Sequence, residues 1–357
     1  MHDPKPGFLL DQNGDWDRFV NLISDNTGGK YERLWIEHAR QNRKRVKTEG
    51  WAASDLLDAG VGKTAVIIGA APSVRSKVSD LRFLQRDSGF LLYSVSSGLG
   101  FLLDNGIIPD YCMVMDADPT IARFFETVDK RAKDVTLIAS VCTDPKIIEK
   151  WPGPVKWIAV YSSIKALDRK YRKWYSPVNG CGIMFPALCS QYNTAVAAAY
   201  RISGSRILIF VGNDLSFPDA KESRYYADRN DIKDGWLRMP HPDIYGNKVY
   251  TTYNFMTLKL ACEDYLQRMY VESVSMEGRA PYFFNATESG IFGVSKRHGN
   301  LSVTTPAGEK LTVMWQIPLH MAIRQARNIM LTGRPITENA VLRPSMSDIY
   351  AVSSARI

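Results

Sequence analysis

The stretch Ala65-Val-Ile-Ile-Gly69-Ala-Ala-Pro-Ser73-Val constrains this chain more than any other. An apolar, β-favouring run enters a turn of small residues, and an amphipathic segment follows. That order reads as a buried strand, a tight turn and a helix start. A helix beginning there offers unpaired backbone N–H groups and the positive end of its dipole to an anion. Gly69, Ala70 and Ala71 are small enough for a phosphate to approach the backbone, Pro72 suits a first helical turn, and Ser73 adds a hydroxyl donor. A tight strand-to-helix connection without a ligand fits the same residues equally well.

The chain around this stretch alternates between two patterns. Near-continuous apolar runs predict strands over Ala65–Ile68, Phe90–Val95, Tyr111–Met115, Thr136–Val141, Val155–Val160 and Arg206–Val211, as expected of strands buried on both faces. Helical periodicity is expected near 74–87, 98–105, 120–130, 144–150 and 190–202. Repeated βα units predict an α/β fold with a Rossmann-like, mostly parallel sheet flanked by helices over residues 60–295. Residues 1–59 are expected to form an N-terminal helical cap of two helices, broken at Asn26-Thr-Gly-Gly29. Residues 216–250 are polar and rich in turn formers, which suits a loop or lid over a site. Beyond it a helix is expected near Asn254–Met269 and a strand near Val271–Ser275. Residues 296–357 read as a C-terminal hairpin around Pro306–Gly308, a helix over 317–332 and a tail.

Composition excludes several classes. No apolar run is long enough to span a bilayer, and the amino terminus Met1-His-Asp-Pro-Lys-Pro lacks the basic-then-apolar order of a secretory signal, so a cytoplasmic location is expected. Five scattered cysteines (112, 142, 181, 189, 262) read as buried free thiols, and the histidines (2, 38, 241, 298, 320) show no metal-ligand spacing. The net charge of +8 and pI near 9.1 favour anionic partners such as a nucleotide, a nucleic acid or a membrane surface. Part of that charge sits in Arg40-Gln-Asn-Arg-Lys-Arg-Val-Lys47, read first as a solvated helix face and second as a polyanion contact. Gly60-Val-Gly-Lys-Thr64 is not a P-loop, because position 57 is Leu and the segment precedes its strand instead of following one.

Ligands of parallel α/β sheets bind beyond the carboxyl ends of the strands. Three polar loops meet that edge in this reading: Gly69–Ser73, Met115-Asp116-Ala-Asp118-Pro-Thr120, and Val211-Gly212-Asn213-Asp214. Ser94, Ser96 and Ser97 follow the second strand. Asp116 and Asp118 could hold Mg²⁺ against a diphosphate or bind ribose hydroxyls, or one of them could simply cap the helix opening at Pro119. Asp214 reads as a catalytic carboxylate or a turn former. Asn285-Ala-Thr287-Glu288 follows an aromatic run and could line a sugar or base pocket, or form an ordinary surface loop. No Ser/His/Asp order or Cys/His pair points to a covalent hydrolase.

Six blocks, in order over roughly residues 60–295, resemble the motility-accessory-factor family, which shares a domain type with archaeal 6-hydroxymethylpterin diphosphokinases. They are VIIGAAPSV (66–74), Gly106-Ile-Ile-Pro-Asp110 leading to Asp116, Gln191-Tyr-Asn193-Thr-Ala, Phe210-Val-Gly-Asn-Asp-Leu-Ser-Phe217, Lys248-Val-Tyr250-Thr251 and Phe284-Asn-Ala-Thr-Glu-Ser-Gly290. The family's familiar forms read GAGPSL, GQDLAY and NATEGG. The resemblance implies a Rossmann-like domain related to bacterial sialyltransferases and transfer of a sugar from a nucleotide donor (CMP-, UDP- or GDP-linked), typically onto flagellin Ser or Thr. It implies that Gly69, Pro72 and Ser73 bind the donor's phosphates, that Asp116 lies at the nucleotide with Asn213 and Asp214 beside the transferred group, and that Asn285, Thr287 and Glu288 lie at the sugar or acceptor. Ala70, Ala71, Ser94, Ser96, Asp118, Asn193, Gly212 and Asn213 are also expected at the nucleotide, and Tyr250 at the substrate. Where the family often has a histidine after its Gly-Gln-Asp-Leu block, this chain reads Glu222-Ser-Arg224. That leaves Asp214, Glu222 and His241 as candidate general bases. With short flanks, the acceptor could be another hydroxyl-bearing macromolecule, DNA included. The expected activities are therefore sugar transfer, Mg-ATP-dependent diphosphate transfer to a pterin-like alcohol, and non-catalytic nucleotide or nucleic-acid binding.

Overall fold

The computed structural model describes residues 15–161, 169, 173–174, 184–186, 190–220, 237–293, 301–304, 308 and 310–336, with backbone alone for 15–30, 160–161 and 184–186. Its centre is a nine-stranded sheet in which every pairing is parallel. The strands are β1 (Thr64–Ile68), β2 (Phe90–Val95), β3 (Tyr111–Val114), β4 (Thr136–Ser140), β5 (Val155–Tyr161), β6 (Met184–Pro186), β7 (Ile207–Val211), β10 (Tyr282–Asn285) and β13 (Met314–Gln316). They lie in the order β13-β10-β7-β1-β2-β3-β4-β5-β6. The chain runs outward from β1 through β2 to β6, returns to the other side of β1 as β7, and continues outward to β10 and β13. The strand order reverses between β1 and β7, where Thr64 pairs with both Phe90 and Ile207. All six predicted strands are present, and β1, β2 and β7 are buried along their whole length.

Alternate residues of these strands feed separate cores, as a period of two requires. Ala65, Ile67, Leu208, Phe210 and Phe283 share one core with α6 (Gln191–Ala197) and α7 (Tyr253–Glu277). Val66, Ile68, Ile209, Val211 and Phe284 share another with α3 (Val78–Leu84) and α8 (Leu319–Thr332). A third surrounds β3–β5 and takes in α1 (Asp15–Glu49), α4 (Ser96–Asp104) and α5 (Pro145–Lys150). A short helix, α2 (Ala52–Leu56), links α1 to the sheet.

Several sequence expectations are corrected. The Asp15–Glu49 segment is one continuous helix, not two. Glycine lowers helix propensity by about 1 kcal/mol but does not itself end a helix; the stop falls at Gly50, which takes the left-handed φ of 85°. The supposed strand at Val271–Ser275 belongs to α7. There Val271 and Val274 are exposed, while Ser273 is buried one helical turn beyond Met269. The helix expected at 120–130 is a 3-10 segment, Pro119–Phe125, and the one at 74–87 begins as a 3-10 segment, Pro72–Lys77. Part of the expected loop 216–250 is an antiparallel hairpin, β8 (Met239–Pro242) with β9 (Lys248–Thr251). The C-terminal hairpin pairs β11 (Ser302–Thr304) with β12 (Lys310–Thr312).

The basic run of α1 is amphipathic. Asn42 and Val46 face inward, with Asn42 Nδ2 donating to the carbonyls of Val141 (3.0 Å) and Thr143 (2.8 Å). Arg40 and Arg45 pair with Glu37 and Glu49, and Arg43, Lys44 and Lys47 are exposed. No helix among the described residues is long and apolar enough to cross a membrane. Cys112, Cys142 and Cys262 are buried free thiols; Cys181 and Cys189 lie outside the described residues.

Candidate active site at the sheet switch point

The crevice beyond a reversal of strand order is where open α/β sheets bind ligands. Here that crevice lies between the β1 and β7 exits, and the two loops are interlocked. The Gly69 N–H donates to Val211 O (2.8 Å) and the Ala71 N–H to Gly212 O (3.1 Å). A Cβ on Gly69 would fall 2.1 Å from Gly212 O, so this glycine is required by loop packing. The Ser73 N–H donates to Asp214 Oδ2 (3.3 Å), and Ser73 Oγ makes a short hydrogen bond to Asp214 Oδ1. The protein's own carboxylate therefore occupies the start of the Pro72–Lys77 helix. Four donors of the Gly69–Ser73 turn are thus already engaged.

Asp214 is 5% exposed. Burial pushes its pKa up to about 6, against the opposing pull of the Ser73 hydrogen bonds and the nearby Lys77 ammonium. Lys77 is buried as well and forms an ion pair with Glu288. Glu288 Oε1 also accepts the Leu319 N–H (2.9 Å) at the start of α8, where the helix dipole favours negative charge. Ser73, Asp214, Lys77 and Glu288 thus form one polar cluster joining the β1, β7 and β10 exits to α8. Lys77 has no counterpart among the sequence candidates. Its only signal was a lysine at an inward position of the amphipathic segment after the first turn.

Gly290 seals the other side of Asp214. Its φ is 76°, and a Cβ there would lie 1.9 Å from Asp214 O. The β8–β9 hairpin docks on the same loop through the Ile244 N–H to Gly290 O (2.9 Å) and pairs with Phe217 through Tyr250. The hairpin carries Tyr250, whose main chain pairs with Phe217, and His241, with Nδ1 2.6 Å from Pro242 O. Tyr245 is exposed at the hairpin tip, and desolvation by the surrounding protein, together with the Glu288 and Asp243 charges, pushes its pKa up to about 12. Glu222 lies outside the described residues.

Other predicted residues serve the fold directly. Asn285 Nδ2 donates to Phe292 O (2.9 Å) and Gln316 Oε1 (2.7 Å), and its Oδ1 accepts the Thr287 N–H (3.2 Å). Asn193 Nδ2 donates to Leu258 O (3.0 Å), tying α6 to α7. Ser94 Oγ donates to Tyr111 O (3.3 Å) inside the sheet, and Ser96 Oγ donates to Gln191 Oε1 (2.6 Å). Two groups on the β7 and β10 exits are different: Asn213 Nδ2 and Thr287 Oγ1 are buried without a hydrogen-bond partner. Buried polar atoms are rarely left this way, so each calls for a water or a ligand atom at the crevice.

Asp116 and Asp118 stand two strands from β1, at the β3 exit, about 10 Å away by strand spacing. Asp118 caps the Pro119 helix through the Thr120 N–H (2.9 Å), and its other oxygen accepts the Tyr31 hydroxyl (2.5 Å). Asp116 lies on the exposed rim. Partial desolvation by surrounding protein, then the neighbouring Asp118 charge, holds its pKa above the usual carboxylate range. Each Asp118 oxygen thus accepts one hydrogen bond. Among the described residues no three His, Cys, Asp or Glu side chains are grouped to hold a metal.

Removing the Glu288 charge strands Lys77. Breaking a buried ion pair by deleting one partner costs 3–5 kcal/mol when both are sealed. Because the Glu288 side chain is 22% exposed, Glu288→Gln is expected to cost about 2–3 kcal/mol, read as a lower denaturant midpoint at unchanged slope.

No curated protein matches the chain. A glycosyltransferase of the MAF type from Magnetospirillum magneticum AMB-1 is similar in structure at a TM-score of 0.48 and 19% identity, over 72% of this chain and 37% of that one. This chain thus spans little more than a third of that protein's length. The sequence pattern of the MptE-like family, described as 6-hydroxymethylpterin diphosphokinase MptE-like, matches residues 37–220, just over half of the chain, including β1, the interlocked turns and Asp214. The chain belongs to the MptE-like family.

Proposed function

We propose that this chain is a transferase that binds a nucleotide-linked donor in the switch-point crevice and passes a group to a hydroxyl acceptor. The donor in this reading is a nucleotide-activated sugar, and the acceptor is a hydroxyl on a macromolecule. The observation that carries the proposal is Asp214: a carboxylate at the strand-order reversal, held near pKa 6 by burial and hydrogen-bonded to Ser73. A proton acceptor tuned close to working pH is what general-base chemistry needs, and such help contributes about 10²–10⁴-fold. Asp116 on the β3 rim is suited to ribose hydroxyls. The orphaned Asn213 and Thr287 groups supply a donor and a hydroxyl toward the transferred group.

The second reading is diphosphate transfer from ATP to a pterin-like alcohol, favoured by the description of the family that matches. It calls for Mg²⁺, for which Asp116 and Asp118 are the candidate ligands, and no step is derived through the metal. Binding and turnover of CMP-, UDP- and GDP-sugars and of ATP, each with Mg²⁺ or with EDTA, separates the readings. One nucleotide sugar is expected to bind, with affinity reduced at least tenfold by Asp116→Ala. Strict dependence on ATP and Mg²⁺ replaces the first reading with the second. Failure of all four donors to bind overturns both.

A further inference from the structure

If Asp214 receives the acceptor's proton, the structure blocks the direct route. The side chain is 5% exposed, and Ser73 occupies both of its oxygens, one through N–H and one through Oγ. Gly290 packs against its main chain at a distance that excludes even a methyl group. Of the two bonded residues, Ser73 is half-buried and Asp214 is buried. The serine's hydroxyl hydrogen points at Asp214, which leaves the Oγ lone pairs to accept from outside and leaves no hydrogen for a donor phosphate.

We propose that Ser73 is the residue that touches the acceptor hydroxyl and that Asp214 acts through it. The proposal rests on the transferase reading above. As the acceptor oxygen forms its bond to the transferred group, the bond between that group and the donor phosphate breaks, and its electron pair leaves with the phosphate. The acceptor's proton moves to Ser73 Oγ while the serine's own proton moves to Asp214 Oδ1. Ser73 ends unchanged and Asp214 ends as the neutral acid, which later returns the proton to water along the same path. The surrounding charges favour the transfer. With Asp214 ionised, the Asp214, Lys77 and Glu288 cluster carries one net negative charge in a buried site; with Asp214 protonated, the Lys77–Glu288 pair balances itself.

The test uses the nucleotide sugar identified by the donor panel and measures kcat and KM from pH 4.5 to 8 for wild type, Ser73→Ala, Ser73→Thr and Asp214→Asn. Ser73→Ala is expected to lower kcat about 10²–10⁴-fold and to erase the acidic limb of the pH profile, with donor KM little changed. Ser73→Thr keeps a hydroxyl and is expected to restore the limb. A merely structural serine would not move the limb. If Ser73→Ala keeps the wild-type rate and limb while Asp214→Asn is inactive, Asp214 takes the proton directly; the relay is wrong and the transferase reading stands. If Ser73→Ala raises donor KM at constant kcat, the serine is a phosphate ligand and the relay is wrong. If both Ser73→Ala and Asp214→Asn turn over like wild type, or no donor is consumed, the transferase reading falls with it.

Discussion

Asp214→Asn is expected to abolish turnover and, at the same time, to make the protein harder to unfold at neutral pH. The catalytic half rests on the proposed transferase reading, in which the variant lacks the proton acceptor and loses about 10²–10⁴-fold in kcat. Wild-type kcat/KM should rise with pH through a midpoint near 6, the value at which Asp214 ionises, and the variant should lack that rise. The stability half follows from linkage. The folded pKa lies above the unfolded carboxylate value, so the folded state binds more protons between the two. The favourable contribution of the neutral form is complete below about pH 4 and is lost as pH rises through 6. Above pH 7 the buried charge is a fixed cost of about 2–3 kcal/mol. Asparagine removes that cost but sets its amide against the Ser73 N–H, so the net gain is expected at roughly 1–2 kcal/mol at pH 8. It should vanish near pH 4. Thermal unfolding at the two pH values checks the sign, and equal shifts at both would show that Asp214 is not strained by its charge.

Gly69→Ala is expected to be among the most damaging single substitutions in the chain, with no charge or hydrogen-bonding group altered. The added Cβ would stand 2.1 Å from Gly212 O and 2.8 Å from its carbonyl carbon, and a backbone carbonyl cannot rotate aside as a side chain can. Relief requires parting the β1 and β7 exits, which breaks the Gly69–Val211 and Ala71–Gly212 hydrogen bonds and draws Ser73 away from Asp214. Overpacking typically costs 1–3 kcal/mol, and about 3 kcal/mol or more is expected here. Gly62→Ala is a useful contrast, since nothing lies within 4 Å of its Cβ and only its φ of 74° opposes the change. Chemical denaturation of both variants should show the larger loss at Gly69. A smaller loss there than at Gly62 would mean that the two exits are not rigidly interlocked.

The parts of this architecture that were legible in the sequence are those governed by local rules. A strand buried on both faces must be apolar throughout, and β1, β2 and β7 announce themselves in that way. The Gly69–Ser73 turn and Asp214 were visible because polar and small residues directly follow those runs. Pairing partners were not legible, because nothing in Ile207–Val211 states that it lies beside β1 and not beyond β6. Asn285 shows the same limit at the level of one side chain. Its place after an aromatic run says nothing of the three hydrogen bonds by which it holds β10 to Phe292, Gln316 and Thr287. Lys77 was missed for the opposite reason: a lysine is expected at the surface, and only the tertiary pairing with Glu288 explains its burial.

The position of β7 also bears on how the chain acquires its shape. β1 and β7 are hydrogen-bonded neighbours, with Thr64 opposite Ile207, yet five strands are made between them. On a ribosome, β1 through β6 emerge while β1 remains an unpaired edge whose side chains are apolar on both faces. Such an edge is a template for wrong partners, and closing a loop of this length before the contact forms is slow. The nascent protein therefore passes through an interval in which this apolar edge of β1 lacks its partner, and chaperone demand during synthesis should fall once Val211 has cleared the exit tunnel.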